Sequence, residues 1–503
     1  MSSTPEPETE VLVAGAGPVG LSLAIDLARR GVAVEIIDTL AEPTQESRAI
    51  VVHSRTLDHF EALGVLDDIL DRSIKSTGME MHSDGKTVVS VSFDHIHATH
   101  PFSVSLVQCD TEAVLTARLE ALGVQVERAS TLSNCTTGDD GVRATITGPE
   151  GTTRTVRAQY LVGADGARSA VRHLMGQELS GSFVGEDVLL CDVEGDHAYE
   201  QSHFHAFFSP GETSGLLFPL RGNRVRVFAQ LPDGTDPKRP LTLDWMQQVV
   251  DERGIKLKIT SSHWLTRFEL KHGQVPQYRS GRVFLAGDAA HIHSPAGALG
   301  MNTGIQDAIN LGWKLALTLH GGGGDTLLQS YHLERHPVGA QVVFVTTEIT
   351  KVATITNPLA QRLRNTLMQV GMHAEPLMDK MADMIEQQQI HYHHSPVVSG
   401  SKHHKLRPGD FLHLPDTHIA AKLAATTEHV AIVMPEKGAA VPAAVAAAGI
   451  SEIQIAANDM ESLRTLSGLK GQGIVIVRPD GYVGFTAEDP EQGAAEYVRL
   501  LAS

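Results

Sequence analysis

Glu10-Val-Leu-Val-Ala14 is an uninterrupted apolar run that stops at glycine, the pattern of a buried parallel strand. Residues 18–30 then repeat their apolar positions at helical spacing up to Gly31, and Val32–Asp38 returns to a strand-like run. Strand, glycine turn, helix and strand together predict a βαβ unit. Short strand-like pieces fill 78–104, followed by a helix with Gln108, Glu112 and Leu115 on neighbouring turns, and strand–turn alternation resumes as far as Val162-Gly-Ala-Asp-Gly166. From about 181 to 280 the pattern changes. Val188–Cys191, His203–Phe208 and Arg224–Phe228 predict strands of an antiparallel sheet. Val283-Phe-Leu-Ala-Gly-Asp288 reads as a buried strand and tight turn, leading through a Pro/Gly loop into a helix start near Thr303. Longer helices are expected over about 325–389. Ser395–Lys402 is polar and turn-rich, and beyond it His429–Met434 and Gly473–Gly481 read as strands separated by helical segments.

These patterns predict an α/β fold in three parts. A discontinuous nucleotide-binding domain takes residues 1–77, 105–180 and 281–395. A sheet domain takes 78–104 and 181–280, and a small α/β module takes 405–503. A length of 503 residues is too great for one compact core, which agrees with such a division. The formal charge of −18 argues against a nucleic-acid partner. No apolar run is long enough and free enough of charge to predict a membrane span, and the acidic start of the chain is unlike a signal peptide, so a cytoplasmic protein is expected. The three cysteines, Cys109, Cys135 and Cys191, form no close pair, which excludes a CxxC redox centre and assigns redox work to a cofactor.

Gly15-Ala-Gly-Pro-Val-Gly20 sits between the first strand and helix. Gly15 permits a tight turn, Gly17 lets the backbone approach a pyrophosphate, and Gly20 allows close helix–strand packing. Asp38, ending the second strand, is placed to accept hydrogen bonds from a ribose. Asp165-Gly166 and Gly287-Asp288 each follow a further strand, and Asp288 is suited to a ribityl or ribose hydroxyl. The glycine motif alone fits NAD or FAD; the three elements in this order favour a flavin gripped at both ends.

With Asp165–Arg172, Gly281–Ala316, Ser47-Arg-Ala49 and Gln108-Cys-Asp-Thr-Glu112 added, the chain resembles the class A flavoprotein monooxygenases of the para-hydroxybenzoate hydroxylase type, in their phenol and polyketide hydroxylase branch. The resemblance covers nearly the whole chain. It implies a Rossmann-type FAD-binding domain interrupted by a β-sheet substrate domain, and a thioredoxin-like C-terminal domain lacking the CxxC. By position it implies FAD contacts from Gly15, Gly17, Pro18, Gly20, Asp38 and Thr39, with Arg48 and Gln108 near the pyrophosphate and ribityl chain. Leu132 would lie by the adenine, Asp165 on the flavin side, and Gly287 and Asp288 at the ribityl chain. Pro295 would cover the reactive flavin face, and the Gly300, Met301 and Asn302 amides would meet the pyrimidine edge. Ala298-Leu299 depart from the Gly-Gln of many relatives.

The implied reaction uses NADH or NADPH as a transient co-substrate and O2, which adds at flavin C4a, to hydroxylate a phenolic, aromatic or polyketide-type small molecule. No second dinucleotide motif is evident. Alternatives are Baeyer–Villiger insertion or epoxidation of a polyketide or antibiotic, and a flavin-binding protein without turnover. The halogenase WxWxIP signature is missing, since Trp245, Trp264 and Trp313 stand apart. No residue is nominated as catalytic base, and a monomer or homodimer is expected. The sheet domain offers His205, Phe207, Phe218 and Pro219 as weak substrate contacts. The 26 histidines, including His95, His97, His100, His203 and the groups at 391–394 and 403–404, show no spacing with cysteine or carboxylate specific for a metal, so none is expected.

Overall fold

The apolar run at the start of the chain becomes the centre of a parallel sheet. The computed structural model describes residues 8–44, 47–83, 85–94, 96, 98–181, 186–208, 214–232, 234–270, 272–293, 298–353, 380, 382–401, 405–414, 418–434, 450–453, 464–469 and 472–503. Pro295, His95, His97, His403, His404 and the expected helix beyond Ala353 lie outside or mostly outside these residues. The first elements are β1 (Glu8–Ala14), α1 (Pro18–Arg29), β2 (Val34–Ile37), α2 (Ser54–Leu63), β3 (Gly78–Ser83), β4 (Lys86–Ser92), α3 (Gln108–Ala121) and β5 (Thr153–Gly163). There follow β6 (Glu186–His197), β7 (His203–Phe208), β8 (Ser214–Leu220), β9 (Arg224–Gln230), α4 (Leu243–Glu252), β10 (Leu257–Leu270) and β11 (Val283–Leu285). The chain continues with α5 (Gly300–Leu319), α6 (Asp325–Ala353), β12 (Val430–Met434), β13 (Gly473–Val477), β14 (Val483–Ala487) and α7 (Pro490–Leu501).

In the first sheet β11, β5, β1 and β2 are neighbours in that order and run parallel. Val11, Leu12 and Val13 are fully buried in one cluster with residues of α1 and α5 and with Val142, Ala144 and Ile146, so both faces of the strand are covered and the run does not alternate. α1 and α5 approach closely because Gly304 and Gly312 of α5 carry no Cβ: one at Gly304 would stand 2.6 Å from Val19 Cγ2, and one at Gly312 2.3 Å from Asp26 Oδ2. Nearly all of α5 is buried, as befits a helix running through the interior.

After β5 the chain leaves this sheet and returns at β11. In between, β6 to β10 build a second sheet, joined by β3 and β4 in the order β10-β6-β9-β8-β7-β3-β4. The expectation of an antiparallel sheet is corrected at one join, where β3 lies parallel to β7 with Glu80 opposite His205. No hairpin links these strands. The chain passes through the first sheet between them, so nothing forces them antiparallel.

Alternation gives the second sheet two faces. Phe207, Leu217, Val225 and Val227 pack under α4 on Trp245, Met246 and Val250. Met81, Phe204, Ala206 and Phe218 point the other way, into a cluster with Ile50, Val51 and Val107 of the nucleotide-binding part, against which Ala298 packs.

The C-terminal residues form a mixed sheet in the order 399–400, β14, β13, β12, 451–453. Its edge strand falls within the polar stretch read as a boundary. The module is attached through buried charge: Glu334 of α6 accepts from Lys314 Nζ (2.7 Å) and from both terminal nitrogens of Arg478 (2.7 and 2.9 Å), while Asp480 accepts from Trp313 Nε1 (3.1 Å). Despite burial, which disfavours its charge, Arg478 and Lys314 hold the Glu334 carboxyl well below the usual carboxylate range.

Candidate active site

β1, β5 and β11 end side by side, Ala14 opposite Gly163 and Gly163 opposite Leu285, so the turns at Gly15, Asp165 and Gly287 share one edge of the sheet. This carboxyl edge is where open parallel sheets bind ligands. Gly15 has φ of +104°, and a Cβ there would lie 2.3 Å from the carbonyl oxygen of Ala164. A Cβ at Gly20 would lie 1.9 Å from the Gly15 oxygen, so the helix sits hard against the turn. Gly17 differs: nothing lies within 4 Å of its Cβ position. It precedes Pro18 as the N-cap of α1 and opens onto space beside the unpaired first-turn amides, the setting in which a phosphate is held.

The Asp38 carboxylate accepts from Ala16 N (2.7 Å) and Leu40 N (2.8 Å), pinning the glycine turn to the end of β2. Thr39 is exposed and accepts a hydrogen bond from Thr131 Oγ1 (3.3 Å). Leu132 is buried in the nucleotide-domain core, next to a register shift between residues 131–138 and 141–147. Asp165 is engaged locally, accepting from Ser169 Oγ (2.5 Å), Ala170 N (2.7 Å) and Val171 N (3.1 Å) and capping the helix that follows.

Residues 47–49 are fixed from two sides. Gln108 N donates to Ser47 Oγ (2.7 Å), and Gln108 Oε1 accepts from Ala49 N (3.2 Å). From the second sheet, Arg226 donates to the carbonyls of Arg48 (3.3 Å) and Ala49 (3.0 Å) while bound to both Asp192 oxygens (2.6 and 2.8 Å). Arg48 itself is exposed, 5.8 Å from the Phe268 ring centre. Asp288 is enclosed by protein mass yet open to solvent, the condition of a side chain lining a deep recess. Burial raises its carboxyl pKa, opposed by His291, Arg48 and Arg172, so Arg48 and Asp288 face the same region.

The N-terminus of α5 is built around two buried polar side chains. Asn302 accepts from His53 N (2.9 Å) and donates to the carbonyls of Val51 (2.8 Å) and Ala298 (2.9 Å), so its side chain braces the loop and only its backbone remains for a ligand. Asp307 accepts from Gly287 N (3.1 Å), His291 Nε2 (2.7 Å) and Arg335 Nε (2.7 Å), joining the turn after β11 to α5 and α6. Thr303 N is taken by Leu299 O (2.8 Å); the first-turn amides of Gly300, Met301 and Asn302 precede it, the donors every helix start leaves over. Met301 is buried, and Ala298 holds φ of +53°, a left-handed conformation that favours glycine.

The four weak substrate candidates separate. His205 and Phe207 turn to the α4 side of the second sheet, away from Ala298, and by alternation Pro219 follows them. Phe218 turns toward the nucleotide-binding part. Sequence reasoning missed Arg226, Asp192 and Asp307. Their partners lie 34, 178 and 28 residues away, so no local spacing marks them.

The profile of the FAD binding domain family matches residues 8–346. The chain belongs to the class A flavin-dependent aromatic hydroxylase family. Relatives include 12-dehydrotetracycline 5-monooxygenase/anhydrotetracycline 6-monooxygenase of Streptomyces rimosus subsp. rimosus, 32% identical over 96% of both chains. Another is 6-methylpretetramide 4-monooxygenase of Streptomyces rimosus, 30% identical over 94% of this chain and 90% of that one. Among solved structures, the anhydrotetracycline hydroxylase OxyS from Streptomyces rimosus superposes with a TM-score of 0.80, at 27% identity and 99% coverage of each chain. Like other members, this hydroxylase is an FAD-dependent monooxygenase that uses NAD(P)H and O2. Its residues fit FAD: an open cradle at Gly17, a recessed carboxylate at Asp288, and a helix start at Gly300. No described helix is long and apolar enough to cross a membrane.

Proposed function

We propose that this hydroxylase adds oxygen to a planar, phenolic, fused-ring substrate of the polyketide type. The supporting observation is the double anchoring of residues 47–49, by Gln108 from the cofactor side and Arg226 from the second sheet. It joins the proposed FAD site to the sheet face bearing Leu216, Phe228 and Phe268, which is apolar and partly open. A flat aromatic ring laid on that face would be oriented by contact area and shielded from water.

FAD supplies the redox chemistry. Of the protein groups, we assign the α1 amides at Gly17 and the Arg48 guanidinium to the pyrophosphate, and Asp288 to a ribityl hydroxyl. The Gly300–Asn302 amides, at the positive end of α5, would stabilise negative charge on the pyrimidine edge. Phe218 and Phe228 take the place of His205 and Phe207 as substrate wall. The names of two relatives, which carry 6-methylpretetramide, 12-dehydrotetracycline and anhydrotetracycline, support the substrate class. The test is a panel of simple phenols, naphthoquinones and fused-ring polyketides scored for stimulated NAD(P)H consumption and product mass. Stimulation greatest with fused-ring phenols is expected. Turnover confined to single-ring phenols would refute the substrate class.

A further inference from the structure

On the α4 side of the second sheet, away from the flavin-facing loop, three donor atoms converge. Glu80 and His82 are two apart on β3 and so share a face, and the parallel register sets Glu80 directly opposite His205 of β7. His82 Nε2 lies 3.1 Å from His205 Nδ1, and Glu80 Oε2 lies 3.6 Å from each. A tetrahedral ion with ligands at about 2.0–2.1 Å separates its donors by about 3.4 Å. The observed triangle is thus close to the size that such an ion requires.

The outer partners orient both rings as ligands. His205 Nε2 is 2.8 Å from the carbonyl oxygen of Glu200, which can only accept, so that nitrogen carries the proton and Nδ1 presents its lone pair inward. His82 Nδ1 is 3.2 Å from Thr87 Oγ1, a hydroxyl able to donate or accept, so His82 can shift its proton outward and free Nε2. Burial lowers the pKa of both imidazoles, which favours the neutral, ligating form. Phe207 stacks on His82 with ring centres 4.7 Å apart, and Tyr199 lies 5.0 Å from His205, walling the group on the protein side. Glu80 is the half-open member, giving a route of entry. The opposing charge is Lys256, close enough to act on His82.

We infer that Glu80, His82 and His205 form a binding site for a divalent transition-metal ion of the zinc type, independent of the flavin, that clamps β3 to β7. Two imidazoles and one carboxylate suit Zn2+ or Co2+ rather than Mg2+ or Ca2+. A fourth position remains for water. The clamp falls on the parallel join, where no hairpin holds the two strands together.

The test uses FAD-loaded enzyme stripped with chelator and titrated with Zn2+ by calorimetry, with Co2+ absorption reporting the ligand geometry. Because the chain has 26 histidines, the reading is a difference between variants. The parent should bind one equivalent that Glu80→Gln and His205→Gln lose or bind at least about 10-fold more weakly, since outer-sphere changes alone cost that much. Zn2+ should raise the parent's melting temperature and leave those of the variants unmoved. Glu80→Gln guards against misfolding, because that side chain is partly exposed. Equal stoichiometry and affinity in parent and Glu80→Gln would overturn the inference, as would a parent that binds no Zn2+.

Discussion

Gly15, Gly17 and Gly20 look alike in the motif, but the structure assigns them different work, and alanine substitution separates the two kinds. At Gly15 a methyl group meets the Ala164 carbonyl at 2.3 Å with φ at +104°. Left-handed strain of roughly 1–2 kcal/mol adds there to overpacking of roughly 1–3 kcal/mol, a loss of about 2–5 kcal/mol in folding stability. At Gly17 there is no neighbour within 4 Å, and φ of −77° with ψ of −177° suits any residue. Alanine is a poorer N-cap than glycine, yet it reduces the freedom of the unfolded chain; these terms are each roughly 0.5–1 kcal/mol and oppose one another. Apo Gly17→Ala is therefore expected to melt within a few degrees of the parent, whereas Gly15→Ala melts far below it. FAD binding should reverse the ranking of harm. The added methyl enters the space assigned to the pyrophosphate, at a cost of roughly 1–3 kcal/mol, on the order of 10- to 100-fold in Kd. Thermal unfolding of apoprotein and quenching of flavin fluorescence on titration measure the two effects separately. Parental FAD affinity in Gly17→Ala would refute the assignment of the pyrophosphate to this cradle.

Burial pushes the Glu112 carboxyl up to about 7, against the hydrogen bond from Gln108. A raised carboxyl pKa stabilises the fold fully below the ordinary value of 4.5, and that stability is lost as pH rises through 7. Urea unfolding of the apoprotein should therefore lose up to about 3 kcal/mol between the ordinary value and about pH 8, a loss that Glu112→Gln escapes. Removing the Glu334 carboxylate leaves Lys314 and Arg478 buried with one shared anion fewer, so Glu334→Ala should destabilise by roughly 3–5 kcal/mol in the same assay. Arg226→Lys cannot span both Asp192 and the carbonyls of residues 48–49. A loss of roughly 1.5–3 kcal/mol is expected, together with weaker FAD binding in the flavin titration.

The parts legible in the sequence are those governed by local rules. The apolar run at 10–14, the glycine turn and the helix from Pro18 appear almost where periodicity places them, and β7 matches His203–Phe208 residue for residue. Gly287 falls at the turn because the chain reversal there takes φ of +60°, whereas the helix expected from near Thr303 begins one turn earlier, at Gly300. Long-range pairing is different in kind. Which face of β7 meets the nucleotide domain depends on the parity of one register, and this sends His205 and Phe207 to the α4 side while Phe218 faces the other way. The grouping of Glu80 and His82 with His205 depends on a parallel join across more than a hundred intervening residues, which no spacing rule reads. Asp165 illustrates a third limit: the motif identified the residue, but the helix cap it forms becomes visible only with backbone geometry.

On the proposed function, one atom of O2 passes to a phenolic ring of the substrate with FAD and NAD(P)H as the redox partners. The most direct measurement is turnover of the best fused-ring phenol under isotopically labelled O2 with mass analysis of the product. A product carrying one labelled oxygen atom with the ring skeleton intact is expected. Label absent from the product, or a skeleton opened or expanded by the inserted oxygen, would contradict it.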